Sequence, residues 1–224
     1  MKVVVFDLGG TLMQYTGMPH SWVDFYVQGF EKIKEVYRCN VSKSAIEKSA
    51  QILKDMNPRV NYREEEYLPE EMFAKALAHW KTELPISDCV EVFWSGLNLK
   101  AEIYPDTVPV LQKLKEDGYF IATLTDLPSG FPDSIFKRDI AALLEYFDEY
   151  VSSAITGYRK PNCRGLQMIS EKYELPMEEL VLVGDEEKDR QTAERAGCRF
   201  VWIDRSENGK GSIRRLEELL EEEL

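Results

Sequence analysis

Residues 2–12 read KVVVFDLGGTL and decide the fold of this 224-residue chain. The apolar run at 3–6 lacks the alternation of a half-buried strand, so it predicts a strand of a parallel sheet covered on both faces. Asp7 follows at the carboxyl end of that strand, where open α/β sheets bind their ligands. Gly9 and Gly10 allow the next turn to approach a bound anion closely. The stretch therefore predicts an α/β fold that presents a carboxylate at a ligand-binding edge.

Three further apolar runs end in polar side chains suited to the same site. The runs cover residues 119–124, 150–155 and 180–183, and they lead to Thr125 with Asp126, to Lys160, and to Asp185 with Asp189. Parallel strands bring their carboxyl ends to one edge of a sheet. We therefore expect a carboxylate, a hydroxyl, an amine and a second pair of carboxylates to converge there.

This order of motifs resembles that of the haloacid dehalogenase (HAD) superfamily, most of whose members are magnesium-dependent phosphatases. The first motif corresponds to Asp7-Leu8-Gly9-Gly10-Thr11, the second to Thr125, the third to Lys160 before Pro161, and the fourth to Gly184-Asp185 with Asp189. All four motifs of the family are matched, in the family's order. The resemblance implies a Rossmann-like parallel sheet core (HAD-like) with a small α-helical cap inserted after the first motif.

The resemblance also implies a role for each matched residue. Asp7 is expected to be the nucleophile that forms an aspartyl phosphate, while Thr125 holds a phosphoryl oxygen and Lys160 neutralises charge. The implied cofactor is Mg²⁺, a cation that takes oxygen ligands. The expected metal site consists of the side chains of Asp7 and Asp185 and the carbonyl of Gly9, with Asp189 behind them. The expected substrate contacts are Gly10, Thr11, Thr125, Asp126 and His20, although Asp126 could instead only cap the next turn.

Gly9 departs from the family pattern, which has a second aspartate at this position. In the phosphatases that side chain protonates the leaving oxygen and later activates water, a contribution of typically about 10² to 10⁴-fold in rate. Three interpretations follow. The protein hydrolyses activated phosphates such as acyl or aryl phosphates; another acid, of which His20 is the best candidate, replaces the missing one; or the chemistry is that of the family's 2-haloacid dehalogenases or phosphonate hydrolases.

A hundred residues of largely helical pattern separate the first motif from the second. Apolar residues recur on one helical face in four segments, 21–37, 42–56, 69–84 and 87–97. We therefore expect a helical cap domain over residues 15–99 and a HAD-like catalytic core over 1–14 and 100–224. A tail helix is expected from Ser212, with Ile213, Leu216 and Leu220 facing inward.

Composition limits the partners. The net charge of −12 disfavours nucleic acid and anionic membranes. No apolar stretch approaches the ~20 residues of a membrane-spanning helix, and the amino terminus lacks the pattern of a signal peptide. The four cysteines lack metal-site spacing and are expected to be free thiols in a reducing cytoplasm.

The function expected from the sequence is a Mg²⁺-dependent phosphatase of the HAD family that acts on a small phosphorylated metabolite. A non-catalytic relative that binds phosphate or a protein partner is the alternative, with Gly9 as the mark of lost activity. Neither the natural substrate nor the oligomeric state can be read from the sequence.

Overall fold

The computed structural model describes residues 2–16, 22–97, 99–207 and 209–222. The strands within these ranges are β1 (Val3–Phe6), β2 (Met13–Thr16), β3 (Lys100–Ile103), β4 (Phe120–Thr123), β5 (Leu180–Gly184) and β6 (Arg199–Trp202). The α-helices are α1 (Tyr26–Val36), α2 (Lys43–Asp55), α3 (Pro69–Leu77), α4 (Ile86–Ser95), α5 (Thr107–Glu116), α6 (Asp133–Asp139), α7 (Ser153–Thr156), α8 (Arg164–Tyr173) and α9 (Glu187–Ala196). None of the helices in these ranges could cross a lipid bilayer.

Four parallel strands form the main sheet in the order β4-β1-β5-β6. The register aligns Phe6 with Thr123 of β4 and with Val183 of β5, so the three strands end at the same level. All four residues of β1 are fully buried, as expected for a strand covered on both faces. The predicted α/β class with a parallel sheet is confirmed, and the sheet places the residues after β1, β4 and β5 side by side.

The chain after β4 differs from the predicted strand over residues 150–155. It makes only isolated bridges, between Ala122 and Glu149 and between Thr125 and Ser152, and α7 begins at Ser153. The Thr123 hydroxyl accepts from the Val151 N–H at 2.9 Å and donates to the Val151 carbonyl at 3.2 Å. The Thr123 hydroxyl thus accepts the hydrogen bond from Val151 that a backbone carbonyl of β4 would accept in a regular ladder. A continuous strand therefore does not form here.

The tail also differs from its prediction. Residues 212–215 are not helical, because Ile213 bridges to Ile203, and a 3₁₀-helix follows only at Leu216–Glu221. A 3₁₀-helix repeats every three residues. Leu216 and Leu219 are therefore buried, whereas Leu220 is 40% exposed, contrary to the expected inward position.

The chain divides into two compact units. The first comprises Met1–Gln14, Ala101–Asp126 and Lys137–Leu224, and the second comprises Tyr15–Lys100 and Leu127–Phe136. The second unit thus includes a short segment after the second motif that sequence analysis assigned to the core. Within this unit, Phe131 packs edge-on against Trp94 at 4.9 Å, and the Trp94 indole donates to the Gly130 carbonyl at 2.8 Å. These contacts with a residue distant in sequence explain why the segment Leu127–Phe136 belongs to the second unit.

The second unit is built from α1, α2, α3 and α4 around an aromatic core. Phe93 lies at its centre, with ring centroids 5.0 Å from Phe30 and 4.9 Å from Phe73. Local sequence sets the helix starts: Ser42 caps α2 by accepting from the Ala45 N–H, and Pro69 occupies the first turn of α3. This unit contains the helical segments that the apolar periodicity predicts.

Candidate active site

Asp7 is the first residue after β1. Its backbone N–H donates to the Val183 carbonyl of β5 at 2.9 Å, so the sheet itself fixes the position of this residue. The next side chain, Leu8, is fully buried and anchors the chain as it leaves the strand. Asp7 itself is 5% exposed. A carboxylate so placed is held rigidly and is largely shielded from water.

Thr125 and Asp185 flank Asp7 at the neighbouring strand tips. Thr125 is almost fully buried; its N–H donates to the Val151 carbonyl at 3.2 Å, and its carbonyl accepts from the Ser153 N–H at 2.9 Å. Asp185 directly follows β5. Since β4, β1 and β5 are adjacent, the structure brings these three sequence-predicted residues to one edge of the sheet.

The turn after Asp7 is packed against Asp185. Gly10 has φ +82°, and a Cβ built on it would lie 2.1 Å from Asp185 Oδ2. Only glycine therefore fits this position, both for its backbone conformation and for lack of space. The hydroxyl of Thr11 donates to Asp185 Oδ1 at 3.4 Å. The position of Asp185 is thus coupled to the conformation of the turn.

Lys160 lies between two carboxylates. Its Nζ is 2.8 Å from Asp7 Oδ1 and 2.5 Å from Asp189 Oδ1, and the side chain is 1% exposed. Burial alone would lower the pKa of this ammonium, but the carboxylates of Asp189 and Asp7 outweigh that effect and raise the pKa above its usual value. Lys160 is therefore a permanently charged group beside Asp7 and not a proton donor.

Asp189 has both carboxylate oxygens engaged by the protein. Oδ1 contacts Lys160, and Oδ2 accepts from the Glu186 N–H at 2.9 Å in the capping box that begins α9. The side chain is completely buried. This arrangement suits a residue that holds Lys160 and the start of α9 in place.

Three carboxylates cluster at this edge. One oxygen each from Asp7, Asp185 and Asp189 lies within 4.8 Å of the others. Burial, opposed by Lys160 and reinforced by Asp189, raises the pKa of Asp7 to about 6. Burial, together with the charges of Asp7 and Asp189, raises the pKa of Asp185 to about 8. Burial and the clustered negative charges thus both raise these pKa values, and a bound cation would lower them again.

Asp126 is paired with protein groups. Its Oδ1 accepts from the Lys160 N–H at 3.0 Å, and its Oδ2 lies 3.2 Å from Lys188 Nζ and 3.9 Å from Arg159 Nη2. Burial would raise the pKa of Asp126, but Lys188 and Arg159 lower it to about 2. A carboxylate that anchors the Lys160 backbone in this way fits a role in positioning the third motif better than the predicted substrate contact.

Comparison with known proteins identifies the family. The family of haloacid dehalogenase-like hydrolases matches residues 1–197. This chain belongs to that family. The resemblance drawn from the four motifs is thereby confirmed, and the protein is a hydrolase of the HAD superfamily.

Several relatives of this HAD hydrolase are phosphatases by name. It is 26% identical over 200 residues to a phosphoglycolate phosphatase of Aliivibrio fischeri, covering 88% of this chain and 82% of that protein. A phosphoglycolate phosphatase of Vibrio cholerae is 30% identical over 99 residues, a match that spans only 42% of its length.

Solved structures share the fold of this HAD hydrolase. A HAD phosphatase from Thermococcus onnurineus has a TM-score of 0.64 and 22% identity, and the match covers 99% of this chain and 97% of that chain. A 2-haloacid dehalogenase from Pseudomonas syringae pv. Tomato DC3000 has a TM-score of 0.67 and 19% identity with the same coverage. Phosphatases and dehalogenases therefore share this architecture, and only the site residues can distinguish the chemistry.

Gly9 leaves open space in the HAD site. A Cβ built on Gly9 would meet no atom within 4 Å, and the residue is exposed with a φ outside the left-handed range. The backbone therefore accepts a side chain at this position without rearrangement. The absence of the family's second aspartate is thus a difference in chemistry and not a consequence of crowding.

Adjacent glycines give opposite expectations for substitution. We expect Gly10→Ala to lower both Mg²⁺ affinity and thermal stability, because the added methyl group meets Asp185 and the positive φ costs about 1–2 kcal/mol. Gly9→Ala is the matched control and should leave stability nearly unchanged. Thermal denaturation with and without Mg²⁺ measures the stability and the Mg²⁺ affinity of each variant. Equal values for Gly10→Ala and Gly9→Ala would contradict the packing of Gly10 against Asp185.

Sequence analysis missed two basic residues near the site. Lys188, inside the fourth motif, contacts Asp126 at 3.2 Å and Glu186 at 2.7 Å. Arg205 reaches the turn after Asp7 from the segment following β6. Lys188 lies between the matched residues of the fourth motif but is not one of them, and Arg205 lies outside every motif. His20, the predicted replacement acid, lies outside the described residues.

Proposed function

We propose that this HAD hydrolase is a Mg²⁺-dependent phosphatase that acts on small phosphorylated metabolites through an aspartyl phosphate on Asp7. Asp7, Thr125 and Lys160 carry the chemistry, and Gly10 and Thr11 line the phosphate site. The single observation that supports this most strongly is the Lys160 ammonium, which joins Asp7 to Asp189 beside Asp185. A buried nucleophile with a fixed cation and a second carboxylate is the arrangement that attack on a phosphate anion requires.

The charge balance of the cluster fits a divalent cation. Among Asp7, Asp185, Asp189 and Lys160, full ionisation leaves an excess of two negative charges, which equals the charge of one Mg²⁺. The oxygens of Asp7 and Asp185 are hard ligands of the kind Mg²⁺ prefers, and we assign the carbonyl of Gly9, an exposed residue of the turn after Asp7, as a third oxygen ligand. Both oxygens of Asp189 are engaged by protein donors, so we assign Asp189 to support of the ligands.

Bound Mg²⁺ would screen the repulsion between the carboxylate and the phosphate and withdraw charge from the transferring group. The protein supplies the remaining steps. An Asp7 oxygen attacks phosphorus in line, a new P–O bond to Asp7 forms, and the bond to the leaving oxygen breaks. Lys160 stabilises the charge that develops on the phosphoryl oxygens, while Thr125 is placed to hold one of them. Water then attacks phosphorus, releasing phosphate and restoring the Asp7 carboxylate.

The leaving oxygen determines the substrate class. Gly9 offers no acid, and Lys160 retains its proton because its pKa is raised. An alkoxide would depart without assistance from either residue, whereas an acyl or aryl oxyanion is stable enough to leave. We therefore propose that activated phosphates are the better substrates. Relatives named for phosphoglycolate make that compound the first alkyl phosphate to test.

We further propose that the helical insertion over residues 15–99 acts as a cap domain that selects the substrate. Loops and insertions on a rigid scaffold commonly carry specificity.

We also propose that the protein acts in a reducing cytoplasm, because none of its four cysteines forms a disulfide.

The function is tested by steady-state assays of the purified protein. Release of phosphate from 4-nitrophenyl phosphate, acetyl phosphate and phosphoglycolate is measured with Mg²⁺ and with EDTA, and halide release from 2-chloropropionate is measured in parallel. We expect Mg²⁺-dependent turnover of the first two substrates and slow turnover of phosphoglycolate. Halide release would assign the site to dehalogenation, and inactivity in every assay would assign the chain to the non-catalytic binders.

Metal binding has its own expected result, which does not depend on turnover. At about 100 times its Kd, Mg²⁺ should stabilise the fold by ~2.7 kcal/mol, a rise of several degrees in Tm. Asp185→Asn should abolish this rise and also increase the Tm of the metal-free protein, because it removes one of three clustered carboxylates. Glu194→Gln, which changes an exposed carboxylate on α9, is the control. An unchanged Mg²⁺ response in Asp185→Asn would contradict the assigned ligand.

A further inference from the structure

Arg205 holds the turn that follows the nucleophile. Its Nη2 donates to the Thr11 carbonyl at 2.8 Å, and its Nε donates to the same oxygen at 3.2 Å. The side chain comes from the segment after β6, nearly two hundred residues away in sequence. One guanidinium therefore fixes the backbone oxygen of the last residue of the first motif.

The guanidinium is itself held in one orientation. Nη1 and Nη2 donate to the two carboxylate oxygens of Asp106 at 2.9 and 3.0 Å, and the guanidinium carbon lies 4.0 Å from the ring centroid of Tyr104. Asp106 Oδ2 also accepts from the Leu216 N–H at 2.8 Å. Bidentate pairing, stacking and 17% exposure leave the Arg205 side chain little freedom.

The same segment holds the next carbonyl of the turn. The Thr107 hydroxyl donates to the Leu12 carbonyl at 2.7 Å, and the Tyr104 N–H donates to it at 3.1 Å. Two successive carbonyls, those of Thr11 and Leu12, are therefore bound from outside the turn. On the other side of the turn, the Thr11 hydroxyl and the Gly10 backbone contact Asp185. A shift of the turn would therefore displace Asp185.

We propose that Arg205 is a positioning residue for phosphoryl transfer, which acts through the Thr11 carbonyl to set the turn between Asp7 and Asp185. This rests on the proposed function only for the turnover readout. Arg205 contacts no residue expected to react. Its effect is to keep the Gly9 carbonyl, the Thr11 hydroxyl and Asp185 in the relative positions that Mg²⁺ and the phosphate require. Displacements of about 1 Å can cost 10²-fold in rate.

The contacts require a guanidinium and not merely a positive charge. Arg205 uses three nitrogens to reach two oxygens of Asp106 and one of Thr11 at the same time. Lysine has a single ammonium at the end of a flexible chain and cannot reproduce this planar fork. Asp106→Asn keeps the shape of the partner but removes the charge that aligns Arg205. Arg205→Lys therefore tests the geometry of the contacts among Arg205, Asp106 and Thr11, and Asp106→Asn tests their charge.

The test compares Arg205→Met, Arg205→Lys and Asp106→Asn with Arg199→Met. Arg199 lies on β6 and pairs with Glu222 at the surface, so its loss controls for removal of an arginine from this region. In Arg205→Met we expect kcat for 4-nitrophenyl phosphate to fall by between about tenfold and 100-fold with little change in KM. The Mg²⁺ concentration for half-maximal thermal shift should rise about tenfold. Arg205→Lys and Asp106→Asn should be intermediate, and Arg199→Met should match the parent protein.

If Arg205 only stabilised the fold, Arg205→Met would lower Tm while leaving kcat and the Mg²⁺ affinity of the folded protein unchanged. That result would overturn the proposal. Full activity and Mg²⁺ affinity in Arg205→Lys would overturn the requirement for the fork. If Arg205→Met does not fold, Asp106→Asn decides by the same two readouts. If the parent protein hydrolyses no phosphate, the proposed function fails, and the Mg²⁺ thermal shift alone still tests the role of Arg205.

Discussion

Asp7→Asn is expected to reduce turnover of every substrate to background, a loss of roughly 10⁴-fold or more, as for removal of other covalent nucleophiles. The amide is close in size to the carboxylate and can accept a bond from Lys160, but it cannot form the acyl phosphate. Steady-state phosphate release with Mg²⁺ measures the loss. The fold should remain intact, because removing a charge from the carboxylate cluster relieves repulsion.

The matched control for Asp7→Asn is Asp148→Asn. Asp148 is also an aspartate beside the sheet, since its carboxylate accepts from the N–H of Ile121 in β4. It pairs with Lys115 and is not part of the cluster of Asp7, Asp185 and Asp189. We expect this control to retain turnover once its folded fraction is taken into account. Persistent Mg²⁺-dependent hydrolysis by Asp7→Asn at the parent rate would mean that another group attacks phosphorus.

Gly9→Asp is expected to increase turnover of alkyl phosphates such as phosphoglycolate, with a gain of up to about 10² to 10⁴-fold, the usual contribution of a positioned acid or base. The new side chain enters open space at an ordinary backbone conformation, so the gain need not be offset by a loss of folding. Turnover of aryl phosphates should gain less, because their leaving groups require little protonation and only the attack of water on the aspartyl phosphate can benefit. The ratio of kcat/KM for the two substrate classes measures the effect.

Gly9→Asn provides the control for this prediction. It adds a side chain of nearly the same shape without an ionisable proton, so it separates acid catalysis from the effect of filling the space. We expect Gly9→Asn to leave turnover of alkyl phosphates low. Equal rates in the two variants would show that proton donation from position 9 does not limit the reaction.

The first motif and the sheet could be predicted because their signals are local. An unbroken buried run at Val3–Phe6 has one simple interpretation in an α/β protein, and the strand tips of such a sheet meet at one edge. The later runs at 119–124 and 180–183 repeat that pattern, so Thr125 and Asp185 could be predicted for the same reason. Similarly, helical periodicity and caps such as Ser42 predict the helices of the second unit.

The predictions that proved wrong failed where one distant contact replaced a local preference. The apolar run at 150–155 has strand character, but the Thr123 hydroxyl takes the ladder bond of Val151 and the run ends in a short helix. In the tail, Ile213 pairs with Ile203, which delays the helix and tightens it into a 3₁₀ turn with a different inward face. Neither contact is encoded in a window of neighbouring residues.

The supporting residues of the candidate site were also beyond sequence reasoning. Arg205 has no motif around it, and its partners Thr11 and Asp106 lie far apart in the chain. The pairing of Asp126 with Lys188 likewise depends on how the loops after β4 and β5 meet. The chain has 68 charged residues, and nothing in the sequence distinguishes Arg205 and Asp106 from the rest.

Rapid acid quench followed by peptide mass spectrometry measures whether Asp7 is phosphorylated during turnover. Acid preserves an acyl phosphate long enough for the peptide containing Asp7 to be isolated. With Mg²⁺ and acetyl phosphate or 4-nitrophenyl phosphate, we predict that this peptide gains the mass of one phosphoryl group, and that the gain disappears with EDTA and in Asp7→Asn. Substrate turnover without any phosphoryl group on the Asp7 peptide would mean that Asp7 is not the nucleophile.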